Sequence, residues 1–246
     1  RDSIISDVER ALRRLRTDCL DVFLLFWVRS PERLSEEVLA TFEELKRDGK
    51  IRAAGFSTHD RSLAEQAVRA GGWDVLMTRH SAAHPGSERS LFPLCREREI
   101  GLLTFSATSY GRLLGPLPGA FATPVRFTAA DCYRYSLSQP GVCSVISAPQ
   151  FPSELDENLE VLTDESLSPE TTAALIQHGE AIHAVSRRFN ALVRKGHESP
   201  LHAPNEQATL STRLAELLAE HPAPPSEPLG MVTARRQPKN RPERRS

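Results

Sequence analysis

The sequence predicts an α/β protein in which buried parallel strands alternate with amphipathic helices. The most informative stretch is Gly-Lys-Ile-Arg-Ala-Ala-Gly-Phe-Ser-Thr at residues 49–58. There a charged helix ends, a short apolar run follows, and Ser57 and Thr58 close it. This order is typical of a buried strand whose last residues enter a loop at the carboxyl end, where α/β proteins bind their ligands. The same unit recurs along the chain, so we expect five parallel strands, in either a barrel or an open doubly wound sheet.

The individual elements follow from the spacing of apolar residues. Apolar side chains fall on one helical face over residues 3–16, and residues 20–27 are nearly all apolar, as in a strand buried on both faces. Ser30 and Pro31 suit the start of a helix, which the sequence ends at Gly49. The remaining strands are predicted at 51–56, 75–78, 102–105 and 142–146, and the remaining helices at 61–70, 87–98, 128–138, 152–162 and 169–188.

Two observations bear on the type of sheet. The first strand is not followed by Gly-x-Gly-x-x-Gly, so nothing indicates a Rossmann nucleotide loop. A barrel of this kind needs eight strands, so three of them would precede Arg1 if the sheet is part of a barrel. Because the sequence starts at Arg1 rather than methionine and enters a helix almost at once, we expect it to belong to a longer protein.

Composition predicts two regions and excludes several classes of function. Residues 1–189 carry the α/β pattern, whereas residues 190–246 are rich in proline, end in a basic run and show a helical period only at 205–220. We therefore expect most of this tail to be disordered. The net charge of −1 does not favour nucleic acid, and no apolar run is long enough to span a membrane. The four cysteines form no Cys-x-x-Cys pair, which favours a reduced, cytoplasmic setting.

Three histidines near the ends of neighbouring strands suggest one alternative, a metal-dependent hydrolase barrel, since such barrels collect imidazoles at that edge. They are His59, His80 and His84. The sequence around His80 and His84 has the character of a loop and supplies no flanking carboxylate apart from Asp60, so ordinary loop histidines are the favoured interpretation and no metal ligand is assigned.

Several groups of residues, in their order and spacing, resemble the aldo-keto reductase family over residues 3–187. They are LRRLRTD at 12–18 with DVFLL at 21–25, GKIR at 49–52 with GFS at 55–57, FS at 105–106 with GRLL at 111–114, RYSLSQPGV at 134–142, and SVI at 144–146 with EL at 154–155 and ENL at 157–159. Residues 79–86 are similar to a branch of the family that has Arg-Tyr-Asn-Ala-Ala-His at this place.

The resemblance implies part of a (β/α)₈ TIM barrel, from the helix before strand four through strand eight, with five parallel strands and outer helices. It also implies hydride transfer from a nicotinamide cofactor to an aldehyde or ketone. The family's catalytic tyrosine, lysine and aspartate belong to units that would precede Arg1, and Phe26 stands where its histidine orients the substrate. Phenylalanine can neither donate a hydrogen bond nor change its charge. No catalytic residue is therefore assigned within this chain.

The resemblance assigns ten positions to the cofactor, NADP or NAD. Thr58 and Met77 replace an asparagine and a glutamine of the family, and Gln150 stands where a basic residue commonly meets the 2′-phosphate. A neutral amide gives up a charge-assisted bond there, so we expect weak discrimination between NADPH and NADH. The full set of assigned positions is Ser57, Thr58, Met77, Ser106, Gly111, Arg112, Leu113, Gln150, Glu157 and Asn158.

The resulting expectation is an NAD(P)-dependent oxidoreductase of a small carbonyl substrate that is inactive as the isolated chain. A second hypothesis is a non-catalytic homologue that binds a nucleotide or a protein at the same edge. An open barrel leaves strand edges without partners, so we also expect self-association through the edge near residues 20–27.

Overall fold

A five-stranded parallel sheet forms the centre of the structure. The computed structural model describes residues 1–116, 126–163 and 166–194. Its strands lie side by side in chain order, and every neighbouring pair is parallel, which confirms the predicted α/β architecture. They are β1 (Leu20–Leu25), β2 (Ile51–Thr58), β3 (Val75–Arg79), β4 (Gly101–Phe105) and β5 (Val142–Val145).

Helices connect and cover the strands. They are α1 (Asp2–Leu15), α2 (Glu36–Arg47), α3 (Arg61–Ala70), α4 (Leu91–Glu97), α5 (Ala129–Leu137), α6 (Pro152–Leu159) and α7 (Pro169–Arg194). Short 3₁₀ turns at Pro31–Leu34, Pro85–Ser87 and Glu160–Leu162 join them.

The start of α2 differs from the prediction. Ser30 and Pro31 begin a 3₁₀ turn, and the α-helix starts at Glu36 after an extended Ser35. The sequence offers two start signals in series, and the second one carries Glu36 and Glu37 in its first turn. Acidic residues there interact favourably with the positive end of the helix dipole, which accounts for the later start.

The far end of α7 also differs, because the helix continues to Arg194 rather than ending at residue 188. No glycine or proline interrupts the sequence between Gly179 and Gly196, so nothing in the chain stops the helix earlier. Residues 195–246, which include the predicted helix at 205–220, lie outside the described residues.

Alternation of burial along the strands explains the packing of the sheet. Leu76 and Leu102 are fully buried on the face that the helices cover, while Met77 and Leu103 are only half-buried on the other face. The covered face carries the main core, in which Trp73 packs edge-on against two phenylalanines, Phe42 at 5.9 Å and Phe56 at 5.0 Å between ring centroids. Each such buried side chain contributes about 1.5–3 kcal/mol to folding.

Gly55 permits the close pairing of β2 with β3. It is the register partner of Val75, and a Cβ atom at Gly55 would lie 2.1 Å from the Val75 carbonyl oxygen and 2.7 Å from Leu24 Cδ2. Contacts of this length do not occur between real atoms, so a residue with a side chain would push the strands apart.

A second core forms where α7 packs on the loop after β3. A Cβ at Gly179 would lie 2.3 Å from the Ala82 carbonyl carbon, so the helix backbone rests directly on this loop. The ring of His183 contacts the same loop through Nδ1, 3.0 Å from the Ala83 carbonyl oxygen. Ala82, Ala83, Leu175 and Ile182 are all buried in this cluster.

The chain divides into two units, residues 1–190 and 191–246, and the sheet belongs to the first. Within the described part of the chain, no helix combines the length and the hydrophobicity needed to cross a membrane.

Candidate active site at the carboxyl edge of the sheet

The loop after β1 is fixed to the end of β2 by three hydrogen bonds. The Trp27 N–H donates to Ser57 Oγ at 2.7 Å, the Val28 N–H donates to the Ser57 carbonyl oxygen at 2.7 Å, and Thr58 Oγ1 donates to the Val28 carbonyl oxygen at 2.8 Å. Ser57 and Thr58, both assigned to the cofactor, are buried and hold this loop in place. Their contact with a cofactor stays a prediction.

Phe26 and Trp27 were predicted to continue β1, but the strand ends at Leu25. Trp27 turns into the left-handed region at φ 46°, which ends the extended conformation. Phe26 is 73% exposed. An exposed phenyl ring therefore stands where the resemblance places the imidazole.

A cavity of about 770 Å³ opens beside this loop. The rings of Trp27 and His59, whose centroids are 6.2 Å apart, form an aromatic wall on one side of it. The ring of Phe105 packs against His59, with 5.2 Å between the centroids. The residues that line the cavity come from the loop after β1 and from the segment between the end of β2 and the start of α3, and they are Trp27, Val28, Arg29, Thr58, His59, Asp60, Arg61 and Ser62. Partial burial and the charge of Arg79 both lower the pKa of His59, so its ring is neutral at pH 7.

Met77 lies on the half-buried face of β3, in register with Ser57 on β2 and Leu103 on β4. Parallel neighbours in register direct their side chains to the same face of a sheet. The structure thus brings Ser57 and Met77 together. The thioether of Met77 supplies an apolar contact where an amide is expected from the family.

The loop after β4 gathers four of the assigned residues into one tight turn. Left-handed backbone angles occur at Ser106 (φ 61°), Ser109 (φ 52°), Tyr110 (φ 59°) and Gly111 (φ 77°). The Leu113 N–H donates to the Thr108 carbonyl oxygen at 3.1 Å and closes the turn. Leu113 is buried in the second core, and burial lowers the pKa of Arg112.

Glu157 and Asn158, assigned to the adenine contact, make internal hydrogen bonds. Glu157 Oε1 accepts from the Ala129 N–H at 2.8 Å, which places its charge at the first turn of α5. Asn158 Nδ2 donates to Ser147 Oγ at 2.9 Å. The pair therefore connects α6 to α5 and to the segment that follows β5.

Gln150 is exposed just before α6. Its backbone N–H donates to Glu154 Oε2 at 2.6 Å, and the Phe151 N–H donates to the same oxygen at 3.3 Å. A carboxylate therefore already occupies the start of α6 beside Gln150.

Two of the three histidines that suggested a hydrolase, His80 and His84, make internal contacts. His80 is fully buried, with Nδ1 2.9 Å from Ser136 Oγ and Nε2 2.8 Å from Glu88 Oε1. The same Glu88 oxygen accepts from the Tyr135 hydroxyl at 2.9 Å, and the Tyr135 ring stacks on the ring of His80. Among the described residues, no three histidine, cysteine or carboxylate side chains are grouped so that they could hold a metal.

His84 makes a different contact. Its Nδ1 lies 3.2 Å from Ser81 Oγ, and its ring packs edge-on against His183. Burial, followed by the charge of Arg79, lowers the pKa of His84 to about 4, so it is neutral at pH 7.

Sequence reasoning did not identify the cavity or the part that Arg29 plays in it. The guanidinium of Arg29 lies 4.5 Å from the centre of the Trp27 ring. The run Phe-Trp directly after an apolar strand, with an arginine two residues later, was the available signal.

Comparison with known proteins shows which family this chain is similar to. Residues 1–116 match the sequence model of the Aldo/keto reductase family. A curated relative, the NADH-specific methylglyoxal reductase of Escherichia coli, is 27% identical over an alignment that covers 65% of this chain and 60% of the relative. The methylglyoxal reductase YeaE of Escherichia coli is 31% identical, with 68% of this chain and 61% of the relative covered.

Solved structures share the fold. An aldo-keto reductase of Bacillus halodurans superimposes with a TM-score of 0.60 at 22% identity, covering 72% of this chain and 68% of that one. This chain spans about three fifths of the length of the first two curated relatives. Residues 1–116 therefore match the aldo/keto reductase family, and about two thirds of the chain is similar to these two reductases.

Proposed function

We propose that this chain forms part of an NAD(P)-dependent oxidoreductase that reduces a small aldehyde or ketone by hydride transfer. The observation that carries the proposal is the arrangement at the carboxyl edge of the sheet. Ser57 and Met77 are register partners there on neighbouring strands, and the cavity of about 770 Å³ opens directly beside Thr58. A relative named as an NADH-specific methylglyoxal reductase supports both the kind of cofactor and the kind of substrate. Action in the cytoplasm, expected from the unpaired cysteines, is part of the proposal.

The residues at this edge bind and orient, whereas the bound nicotinamide would supply the hydride. Ser57 Oγ accepts from the Trp27 N–H, which leaves its hydroxyl hydrogen to donate to an amide oxygen of the cofactor. The aromatic wall formed by Trp27 and His59 excludes water from one side of the cavity. Phe26 cannot hold or move a proton, so this position contributes no acid or base to the reaction.

A second candidate function is favoured by Phe26. A ring that is 73% exposed at the substrate side of the edge offers apolar contact in place of an imidazole. This fits a homologue that binds a nucleotide at the edge of the sheet without reducing a carbonyl. Carbonyl reduction by a longer protein, in which this chain is joined to strands that supply the family's tyrosine and lysine, would distinguish the two functions.

We expect the purified 246-residue chain to oxidise NADPH and NADH only at background rates with a panel of aldehydes that includes methylglyoxal. The reason is the absence of an acid–base group at position 26, and Phe26→His alone is not expected to restore turnover, because the family's tyrosine and lysine are also needed. The measurement is the decrease of absorbance at the nicotinamide band. Turnover well above background in the unaltered chain would show that the catalytic assignment is wrong.

The binding of the cofactor is tested by titration of NADH and NADPH, followed by energy transfer from Trp27 to the nicotinamide. Gln150→Arg is expected to strengthen the binding of NADPH by about 1.5–3 kcal/mol, roughly ten- to a hundredfold, and to leave the affinity for NADH unchanged. The reason is that the new guanidinium would contact the 2′-phosphate, which only NADPH carries. Gln66→Arg adds the same charge on the exposed surface of α3 and serves as the matched control.

The outcomes separate two kinds of error. Failure of the unaltered chain to bind either nucleotide would overturn the proposed function. Equal tightening of both nucleotides by Gln150→Arg would show that residue 150 is not at the phosphate.

A further inference from the structure

The cavity beside β1 and β2 has a rigid floor. Trp27 adopts a left-handed φ of 46°, a strained conformation for a bulky residue that persists only where its surroundings impose it. The two hydrogen bonds that Ser57 accepts, from the N–H groups of Trp27 and Val28, hold this conformation. The strained loop therefore presents the Trp27 ring to the cavity in a fixed orientation.

Arg29 lies on that ring. Its guanidinium carbon is 4.5 Å from the ring centre, a cation–π distance. Stacking restrains the planar guanidinium before any ligand arrives, so less rotamer freedom is lost when it binds a carboxylate. In the described part of the chain, no carboxylate lies within ion-pair distance of Arg29.

The other charged groups of the cavity leave it positive. Arg61 donates through Nη1 to the Gly86 carbonyl oxygen at 2.5 Å, which is a neutral partner. Asp60 Oδ1 accepts from the Leu63 N–H at 3.1 Å, so this carboxylate caps α3. The neutral ring of His59 adds no charge at pH 7. Two guanidinium groups thus face one carboxylate that is already used as a helix cap.

We propose that this cavity selects a carbonyl substrate that also carries a carboxylate, which Arg29 binds while the carbon chain lies against Trp27 and His59. The proposal rests on the proposed function, because the ligand is the substrate of the same reaction. A guanidinium stacked on an aromatic ring can bind a carboxylate through two parallel N–H···O bonds. A neutral carbonyl compound of the same size lacks this partner.

The test uses the full 246-residue chain with Trp73→Phe, so that fluorescence reports on Trp27. Trp73 is buried against phenylalanines, which makes this substitution conservative. The probes are pyruvate, its uncharged methyl ester and inorganic phosphate. We expect saturable quenching by pyruvate, with the ester and phosphate each at least about tenfold weaker.

Substitutions then test whether Arg29 binds the carboxylate of pyruvate. Arg29→Gln is expected to weaken the binding of pyruvate on the order of ten- to a hundredfold and to leave the affinity for the methyl ester unchanged. Arg29→Lys keeps the charge but loses the planar guanidinium over the ring. Its affinity for pyruvate is expected to lie between those of the unaltered chain and Arg29→Gln. Arg47→Gln removes the same charge from the exposed end of α2 and is expected to change nothing. The thermal melt of each variant verifies folding, and if Arg29→Gln does not fold, the Arg29→Lys variant and the comparison of acid with ester decide.

Equal affinity for pyruvate and its ester would overturn the proposal, as would an unchanged pyruvate affinity in Arg29→Gln. Phosphate binding as tightly as pyruvate would overturn it too, since the cavity would then recognise an oxyanion without the carbonyl. If NADH or NADPH still binds while pyruvate does not, this inference alone fails. If no nucleotide binds, the proposed function fails.

Discussion

Replacing Gly55 by alanine is expected to lower the free energy of unfolding by about 3 kcal/mol or more. The added Cβ would lie 2.1 Å from the Val75 carbonyl oxygen, which is backbone and cannot rotate away. The strands β2 and β3 must separate to admit it, and their separation weakens the ladder of hydrogen bonds that holds Ser57 beside Met77. Urea denaturation followed by circular dichroism measures the loss.

Gly101→Ala is the matched control for this prediction. Gly101 lies in β4 of the same sheet, but a Cβ there would meet its nearest neighbour, the Asp74 carbonyl oxygen, at an ordinary 3.7 Å. Alanine at this position is expected to be neutral or to stabilise by up to about 1 kcal/mol, because it restricts the unfolded chain. Equal effects of the two substitutions would contradict the steric explanation.

Replacing Glu88 by alanine is expected to destabilise the protein by about 2–4 kcal/mol, because two buried donors then lose one acceptor. The Oε1 atom of Glu88 bonds both His80 Nε2 and the Tyr135 hydroxyl. His80 is fully buried, so water cannot replace the carboxylate there. Thermal and urea unfolding of the variant measure the effect.

Two further variants test this explanation. Glu88→Gln keeps one carbonyl acceptor and is expected to lose about half as much free energy. Glu97→Ala, at an exposed position in α4, is expected to stay within about 0.5 kcal/mol of the unaltered chain. A Glu88→Ala variant as stable as Glu97→Ala would mean that the network does not hold the loop after β3 to α5.

The sheet could be predicted from the sequence because each strand is a local signal. The largely apolar runs at residues 51–56 and 75–78 indicate buried strands without reference to the rest of the chain. The bonds among His80, Glu88 and Tyr135 could not be predicted, since His80 and Ser136 are 56 positions apart and only folding brings them together. The left-handed turn at Trp27 was missed for a related reason, because hydrogen bonds to Ser57 impose it against the preference of tryptophan.

The candidate site could likewise be predicted from the sequence only in part. The order of the elements predicts that β2 and β3 are neighbours, but the register that pairs Ser57 with Met77 is given only by the folded structure. The position of Arg29 over Trp27 depends on a backbone angle that no spacing rule supplies. Residue type indicates which side chains could bind a cofactor. Only the folded structure shows which of them already form hydrogen bonds within the protein.

Because α7 packs directly on the loop after β3, the second core can form only after this helix has been synthesised. Gly179 rests on Ala82, and His183 reaches Ala83 across 100 positions of sequence. During synthesis from the amino terminus, the sheet strands emerge well before this helix does. The loop between β3 and α4 therefore stays uncovered until α7 has been synthesised, and the second core is completed only then. A nascent chain paused before residue 179 would leave Ala82 and Ala83 without the helix that contacts them.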